Sequence, residues 1–199
     1  MNYERSFLDK IISKICPLIP IYEVTDLRYI KKCSKILANI ISNEYKPDIV
    51  IGIANGGLYP AFEVSRHLKC KMDSMKILHY RHTVPRFDGM PGIVKITRKL
   101  MMNTKPILVK DIDTKNIKGK KILLVDDETS YGDTLEFAKK VLKRKKPKTI
   151  KTATIFRHEN YKADFFVIEA FNKCVINPWR KPSPYYETYL KKMSEIDLL

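Results

Sequence analysis

Residues 122–134 read ILLVDDETSYGDT, and they constrain this chain more than any other stretch. Four apolar residues in a row suit a strand buried on both faces, the kind a parallel sheet contains. The run ends in two adjacent acids, Asp126 and Asp127, followed by Thr129, Ser130, Gly132 and Thr134. A helical pattern over residues 134–144 comes next. A strand that passes through such a turn into a helix delivers its acids to the carboxyl edge of the sheet, where open α/β sheets bind ligands. The turn's backbone N–H groups converge on one concavity, and the helix N-terminus adds partial positive charge. Together they make a phosphate cradle. The carboxylates have the wrong sign for phosphate. They suit hydrogen bonds from sugar hydroxyls, or a divalent metal held by the substrate's own oxygens. Phosphate, vicinal diol and Mg2+ together describe an activated ribose phosphate. Neither Gly-x-x-x-x-Gly-Lys-Ser/Thr nor Gly-x-Gly-x-x-Gly occurs here.

The rest of the chain alternates helical and strand patterns. Residues 4–16 suit an amphipathic helix with Phe7, Ile11, Ile12 and Ile15 on one side, stopped by Pro17 and Pro20. Thr25 or Asp26 can cap a second helix running to about Asn43. Residues 49–53 are a short apolar run, leading through Asn55-Gly56-Gly57 into a helix over 59–68. Strands are expected at 76–80, 121–125, 149–156 and 165–168, a hairpin strand at 93–96, and a last helix over 185–196. Strands alternating with helices predict an α/β fold with a parallel sheet.

The length of 199 residues suits one domain with a small appended lobe. No stretch approaches the roughly 18–20 apolar residues of a membrane helix, so no membrane partner is expected. The N-terminus carries Glu4 and Asp9 and lacks a small-residue cleavage site, so it does not read as a signal peptide. Cys16, Cys33, Cys70 and Cys174 form no Cys-x-x-Cys pair. A zinc site or disulfide framework is not expected, and a cytoplasmic location is. The net charge of +16 permits a nucleic-acid partner. Runs such as KRKKPK at 143–148 fit a solvated lysine-rich surface better, because no aromatic-basic interleaving accompanies them. A positive field also attracts a polyphosphate substrate.

The turn at 122–134 resembles the phosphoribosyl diphosphate (PRPP) signature of type I phosphoribosyltransferases. That fold is a twisted parallel sheet flanked by helices, with a small hood lobe. The resemblance implies one domain over 1–199, with a core of about 24–170 and a base-binding hood of about 171–199. Asp126 and Asp127 match the acidic pair that serves catalysis, ribose and metal. Thr129, Ser130, Tyr131, Gly132, Asp133 and Thr134 match the 5′-phosphate loop. The segment PDIVIGIANGGLYPAFEVSRHL is similar to the family's first strand, pyrophosphate loop and helix, with Asn55, Gly56 and Gly57 at the diphosphate. Residues 77–96 correspond to the hood loop, in which Arg81, Arg86 and Lys95 are diphosphate candidates. CVINPWRKP resembles the Pro-Trp element of the xanthine/hypoxanthine-guanine branch, including its archaeal members. By that resemblance Arg157, Val175, Ile176 and Trp179 bind the base.

The sequence departs from that branch at four positions. Asn55 stands where relatives usually place Arg, Cys174 replaces the base-stacking aromatic, and Arg180 replaces the acid after the Trp. Ser130 stands where 6-oxopurine enzymes carry a third acid, the usual general acid/base, and a hydroxyl cannot do carboxylate proton transfer near neutral pH. The resemblance implies a Mg2+-dependent pentosyltransferase of purine salvage that binds PRPP and a nucleobase and forms a homodimer. A nucleotide-sensing regulator that binds nucleic acid is the alternative, and hydrolytic or reverse chemistry on a nucleotide is a third reading.

Overall fold

A computed structural model describes residues 22–78, 105–129, 131–158, 161, 163–170 and 174–179. The helices expected over 4–16 and 185–196 and the hairpin strand at 93–96 lie outside these residues. So do Arg81, Arg86, Lys95, Ser130 and Arg180. The chain divides into two compact units, one of Asp26–His79 with Lys105–Phe171, the other of Met1–Thr25, Tyr80–Thr104 and Asn172–Leu199.

The first unit carries the sheet. Helix α1 (Leu27–Glu44) starts at Asp26, whose carboxylate accepts a 2.6 Å hydrogen bond from the Tyr29 amide. Ile30, Cys33, Leu37, Ala38 and Ile41 recur at three- and four-residue spacing, so one stripe of the helix is buried. Next come β2 (Ile49–Ala54), α2 (Leu58–Leu68), β3 (Lys71–Leu78) and β4 (Ile107–Lys110). After them follow β5 (Lys121–Thr129), α3 (Asp133–Lys143), β6 (Thr149–Arg157) and β7 (Phe165–Glu169). The six strands lie in the order β4-β3-β2-β5-β6-β7. All neighbours pair in parallel except β3 with β4, so the expected parallel sheet carries one antiparallel edge strand.

β2 and β5 pair with Ile51 opposite Leu124 and Gly52 opposite Val125. Both strands are buried on both faces. Ile49, Ile51, Ile53, Ile122 and Leu124 pack with Leu135, Ala138 and Leu142 of α3. On the other face Gly52 meets α2 so closely that a Cβ there would lie 2.9 Å from the Ala61 Cβ. From β2 the chain crosses through α2 to β3 on one side, and from β5 it crosses through α3 to β6 on the other. The strand order therefore reverses between β2 and β5, where doubly wound sheets open a crevice at the carboxyl ends of the strands.

In the second unit β1 (Tyr22–Val24) pairs in parallel with β8 (Cys174–Ile176). A buried 2.8 Å hydrogen bond from the Thr25 hydroxyl to Asn177 follows the pair.

Candidate active site

Two loops meet at the reversal between β2 and β5. Gly57, buried, donates its amide to the Ile53 carbonyl at 2.9 Å and accepts from the Ala61 amide at 3.0 Å. A Cβ on Gly57 would lie 2.5 Å from the Val125 carbonyl oxygen and 2.8 Å from the Asp126 Cα. A Cβ on Gly56 would lie 2.5 Å from the carboxyl atoms of Asp127. The glycines thus let the β2–α2 loop rest on the end of β5, with the Asp127 carboxylate against Gly56. Asn55 is exposed, and its carbonyl accepts from the Leu58 amide at 3.2 Å. The Ala54–Asn55 peptide is cis.

The acids do not sit in a loop, as a strand ending at 125 would require. β5 stays paired with β6 to its end, through Asp126 opposite Thr154 and Thr129 opposite Arg157. Asp127 lies against Gly56, and the Asp126 and Asp127 carboxyls stay close enough to interact. Each accepts from the amide that follows it, Asp126 from Asp127 at 3.0 Å and Asp127 from Glu128 at 2.9 Å. Asp126 keeps some surface exposure, but protein crowds its carboxyl. That desolvation, with the neighbouring Asp127 carboxylate, pushes it well above the usual carboxylate range. A partly shielded, like-charged pair favours a cation or hydrogen-bond donors.

Both helices at this edge begin at glycine. α2 starts from Gly57 and α3 from Gly132, which has φ +74°, and neither start has a side-chain cap. α1, by contrast, is capped by Asp26. At the end of β5 Thr129 is buried; beyond it Gly132 is buried, Asp133 and Thr134 are half-buried, and Tyr131 is exposed.

The residues expected at the base are arranged differently. Arg157 ends β6. Its guanidinium pairs with Glu169 of β7 and lies 3.9 Å from the Phe166 ring centroid. Its Nε is buried with no hydrogen-bond partner among the described residues. Val175, Ile176 and Trp179 belong to the second unit, where Val175 is buried and Trp179 half-buried. The structure therefore brings together Gly56, Gly57, Asp126 and Asp127. Among the described residues no three or more His, Cys, Asp or Glu side chains are grouped to hold a metal.

Three residues next to this site had no signal in the sequence. Glu128 Oε1 lies 2.8 Å from His158 Nε2, and both side chains are more than nine-tenths buried. Tyr161 donates its hydroxyl to Glu136 of α3 at 2.9 Å. Each pairing spans 25 to 30 residues, beyond any local periodicity.

A family profile described as the phosphoribosyl transferase domain matches residues 23–171. A hypoxanthine-guanine phosphoribosyltransferase of Aquifex aeolicus is 30% identical over 157 residues, covering 74% of this chain and 79% of that protein. One from Streptococcus pyogenes is 29% identical over 140 residues, covering 68% and 67%. The crystal structure of a purine phosphoribosyltransferase from Pyrococcus horikoshii superposes with a TM-score of 0.62 at 26% identity, covering 81% of this chain and 95% of that one. No helix among the described residues is long and apolar enough to cross a membrane.

Proposed function

Because this chain belongs to the phosphoribosyl transferase family, we propose that it moves the 5-phosphoribosyl group of PRPP onto a ring nitrogen of a purine base. The products are a nucleoside monophosphate and diphosphate. The observation that carries this reading is the seating of Gly56 and Gly57 against Asp126 and Asp127 at the reversal of strand order. The purine class rests on the hypoxanthine-guanine activity named for its relatives.

In this reading Asp126 and Asp127 accept hydrogen bonds from the ribose hydroxyls. The backbone from Thr129 through Tyr131 to Thr134 holds the 5′-phosphate at the start of α3. Asn55, Gly56 and Gly57 face the diphosphate at the start of α2. The new bond joins a base nitrogen to the anomeric carbon as the bond from that carbon to the diphosphate oxygen breaks. The diphosphate leaves with the electron pair of that bond, and the proton of the base nitrogen passes to solvent water. The transition state is cation-like, so holding the reactants in line and placing charge correctly supply most of the acceleration.

Mg2+ fits the donor set. Mg2+ favours one or two carboxylates together with substrate phosphate oxygens and water, and the site offers two adjacent carboxylates. Asp126 and Asp127 would hold it, and it would neutralise charge on the leaving diphosphate. We assign Val175, Ile176 and Trp179 to the base lobe. Arg157 would recognise the base only by exchanging its contacts to Glu169 and Phe166. In this reading the chain works in the cytoplasm as a homodimer, which sedimentation can check.

The test is incubation with PRPP, Mg2+ and each of adenine, hypoxanthine, guanine and xanthine, following diphosphate release. Release with at least one base is expected, and none with any base would overturn the assignment. Ser130 in place of an acid makes adenine against the 6-oxopurines the informative comparison.

The net charge of +16 favours one second reading, a PRPP- or nucleotide-responsive regulator that binds nucleic acid. Salt-sensitive nucleic-acid binding without PRPP consumption would select it.

A further inference from the structure

The β5–α3 turn is gripped at both ends by one short segment after β6. At its start, His158 donates its amide to the Thr129 carbonyl at 2.9 Å, carrying the β5–β6 ladder one step beyond its last paired residues. The His158 ring reinforces this bond through the Glu128 carboxylate at 2.8 Å. At the turn's far end, the Tyr161 ring lies on Gly132. A Cβ there would come within 1.9 Å of the ring edge. The Tyr161 hydroxyl reaches on to Glu136 in the first turn of α3, and its ring packs against the core beneath. The Tyr161 amide donates to the His158 carbonyl at 3.4 Å, tying the two residues together.

We propose that His158, Glu128 and Tyr161 are positioning residues that hold the β5–α3 turn in its PRPP-binding shape. The inference rests on the function proposed above. A phosphate cradle made of backbone N–H groups binds well only while the backbone keeps one shape. Contacts from neighbouring elements help to fix that shape, and looseness of about an ångström is costly in such sites. α3 begins at a left-handed glycine with no side-chain cap. The Thr129 carbonyl and the Tyr161 ring on Gly132 give the turn a fixed point on either side. Glu128 and His158 also lie too deep to serve as a surface ion pair.

None of the three is assigned a contact with the base, so their loss should weaken PRPP binding selectively. The test compares wild type with Tyr161→Phe, Tyr161→Ala, Glu128→Gln and His158→Ala, measuring the PRPP dissociation constant with Mg2+, and KM for PRPP and for the base separately. Tyr161→Ala loses ring and hydroxyl together and should weaken PRPP binding about tenfold or more. Tyr161→Phe keeps the ring on Gly132 and should weaken it only about three- to fivefold, the value of one lost hydrogen bond. Glu128→Gln keeps an acceptor for the imidazole and should retain more PRPP affinity than His158→Ala. The base KM should stay within about twofold of wild type throughout. Amide hydrogen exchange without ligand supplies an independent reading. Tyr161→Phe, the variant safest for folding, should speed exchange around 131–136 and leave β2 and β5 protected. Unchanged PRPP affinity and unchanged exchange in folded Tyr161→Ala and His158→Ala would overturn this inference alone. So would equal losses for PRPP and base. Failure of the wild type itself to bind PRPP would instead overturn the proposed function, and this inference with it.

Discussion

The two loops that meet between β2 and β5 use opposite means at one site. The end of β5 and the turn after it present chemistry, with two carboxylates, hydroxyl-bearing residues and a helix start. The β2–α2 loop works by lacking side chains. Gly57 leaves room for the backbone of β5, and Gly56 leaves room for the Asp127 carboxylate. Replacing a side chain in the first should change what the site can do. Adding one in the second should change whether the site can assemble. The contrast can be broken by substitutions on either side.

The largest effect is expected from the acids at the end of β5. Asp126→Asn combined with Asp127→Asn keeps shape and removes both charges. Turnover should fall by about a thousandfold or more, the scale of removing groups that stabilise transition-state charge. The fold should survive, because Asp126 and Asp127 repel each other in a crowded site and their neutral amides do not. Circular dichroism and melting check the fold, and diphosphate release checks the chemistry. Turnover within tenfold of wild type would remove the acids from the mechanism.

Gly57→Ala tests the other loop. Its φ of −72° is open to any residue, so the penalty is contact and not conformation. The new methyl would meet the Val125 and Ile53 carbonyls and the Asp126 Cα, all backbone and unable to swing aside. Overpacking of this kind costs about 2 kcal/mol, a fall in Tm of about 4–8 °C for a chain of this length. Activity should be lost as well, because the strand end that moves carries Asp126. An unchanged Tm would show that the two loops are not in the close contact seen here.

These two loops also show what was legible in the sequence. The apolar runs of β2 and β5, the Asp26 cap of α1 and the acids at the end of β5 all lie in single local patterns. β4 was not anticipated, because its four residues are mostly exposed and show no buried alternation. β3 begins five residues before its expected start at 76, because Lys71–Ser74 has three polar residues to one apolar and none of the four is buried. β1 and β8 are three residues each and pair across some 150 positions. β5 runs on through Asp126–Thr129 because β6 supplies its hydrogen bonds, although those residues read as a turn. At the site, the acids and glycines were visible as residue types. The Glu128–His158 and Tyr161–Glu136 contacts were not, since only the crossover through α3 brings them together.

Gly56→Ala should have a smaller effect than Gly57→Ala on stability but a clear one on binding. Its methyl would meet the end of a side chain, Asp127, which can rotate away. The fold should hold, with Tm within about 2 °C of wild type. The displaced carboxylate would no longer meet the ribose hydroxyls well, raising KM for PRPP about tenfold with little change for the base. Equal effects of the two alanines on Tm would show that Gly56, too, is hemmed in by rigid atoms.

The smallest effect is expected where chemistry is added to the loop that lacks it. Asn55 is exposed. Asn55→Arg would place a cation beside the proposed diphosphate site at the start of α2, in a loop whose own side chains offer no charge. A solvent-exposed charge gains about 0.5–1 kcal/mol from such a partner, so PRPP should bind about two- to fivefold more tightly at low salt. The gain should fade as ionic strength rises toward the point where exposed charges are screened over a few ångströms. A gain that persists in high salt would mean that Arg makes a direct, shielded contact. A weakened affinity would mean that this loop tolerates no added side chain even at its outermost residue. The contrast between the two loops would then extend from Gly57 to Asn55.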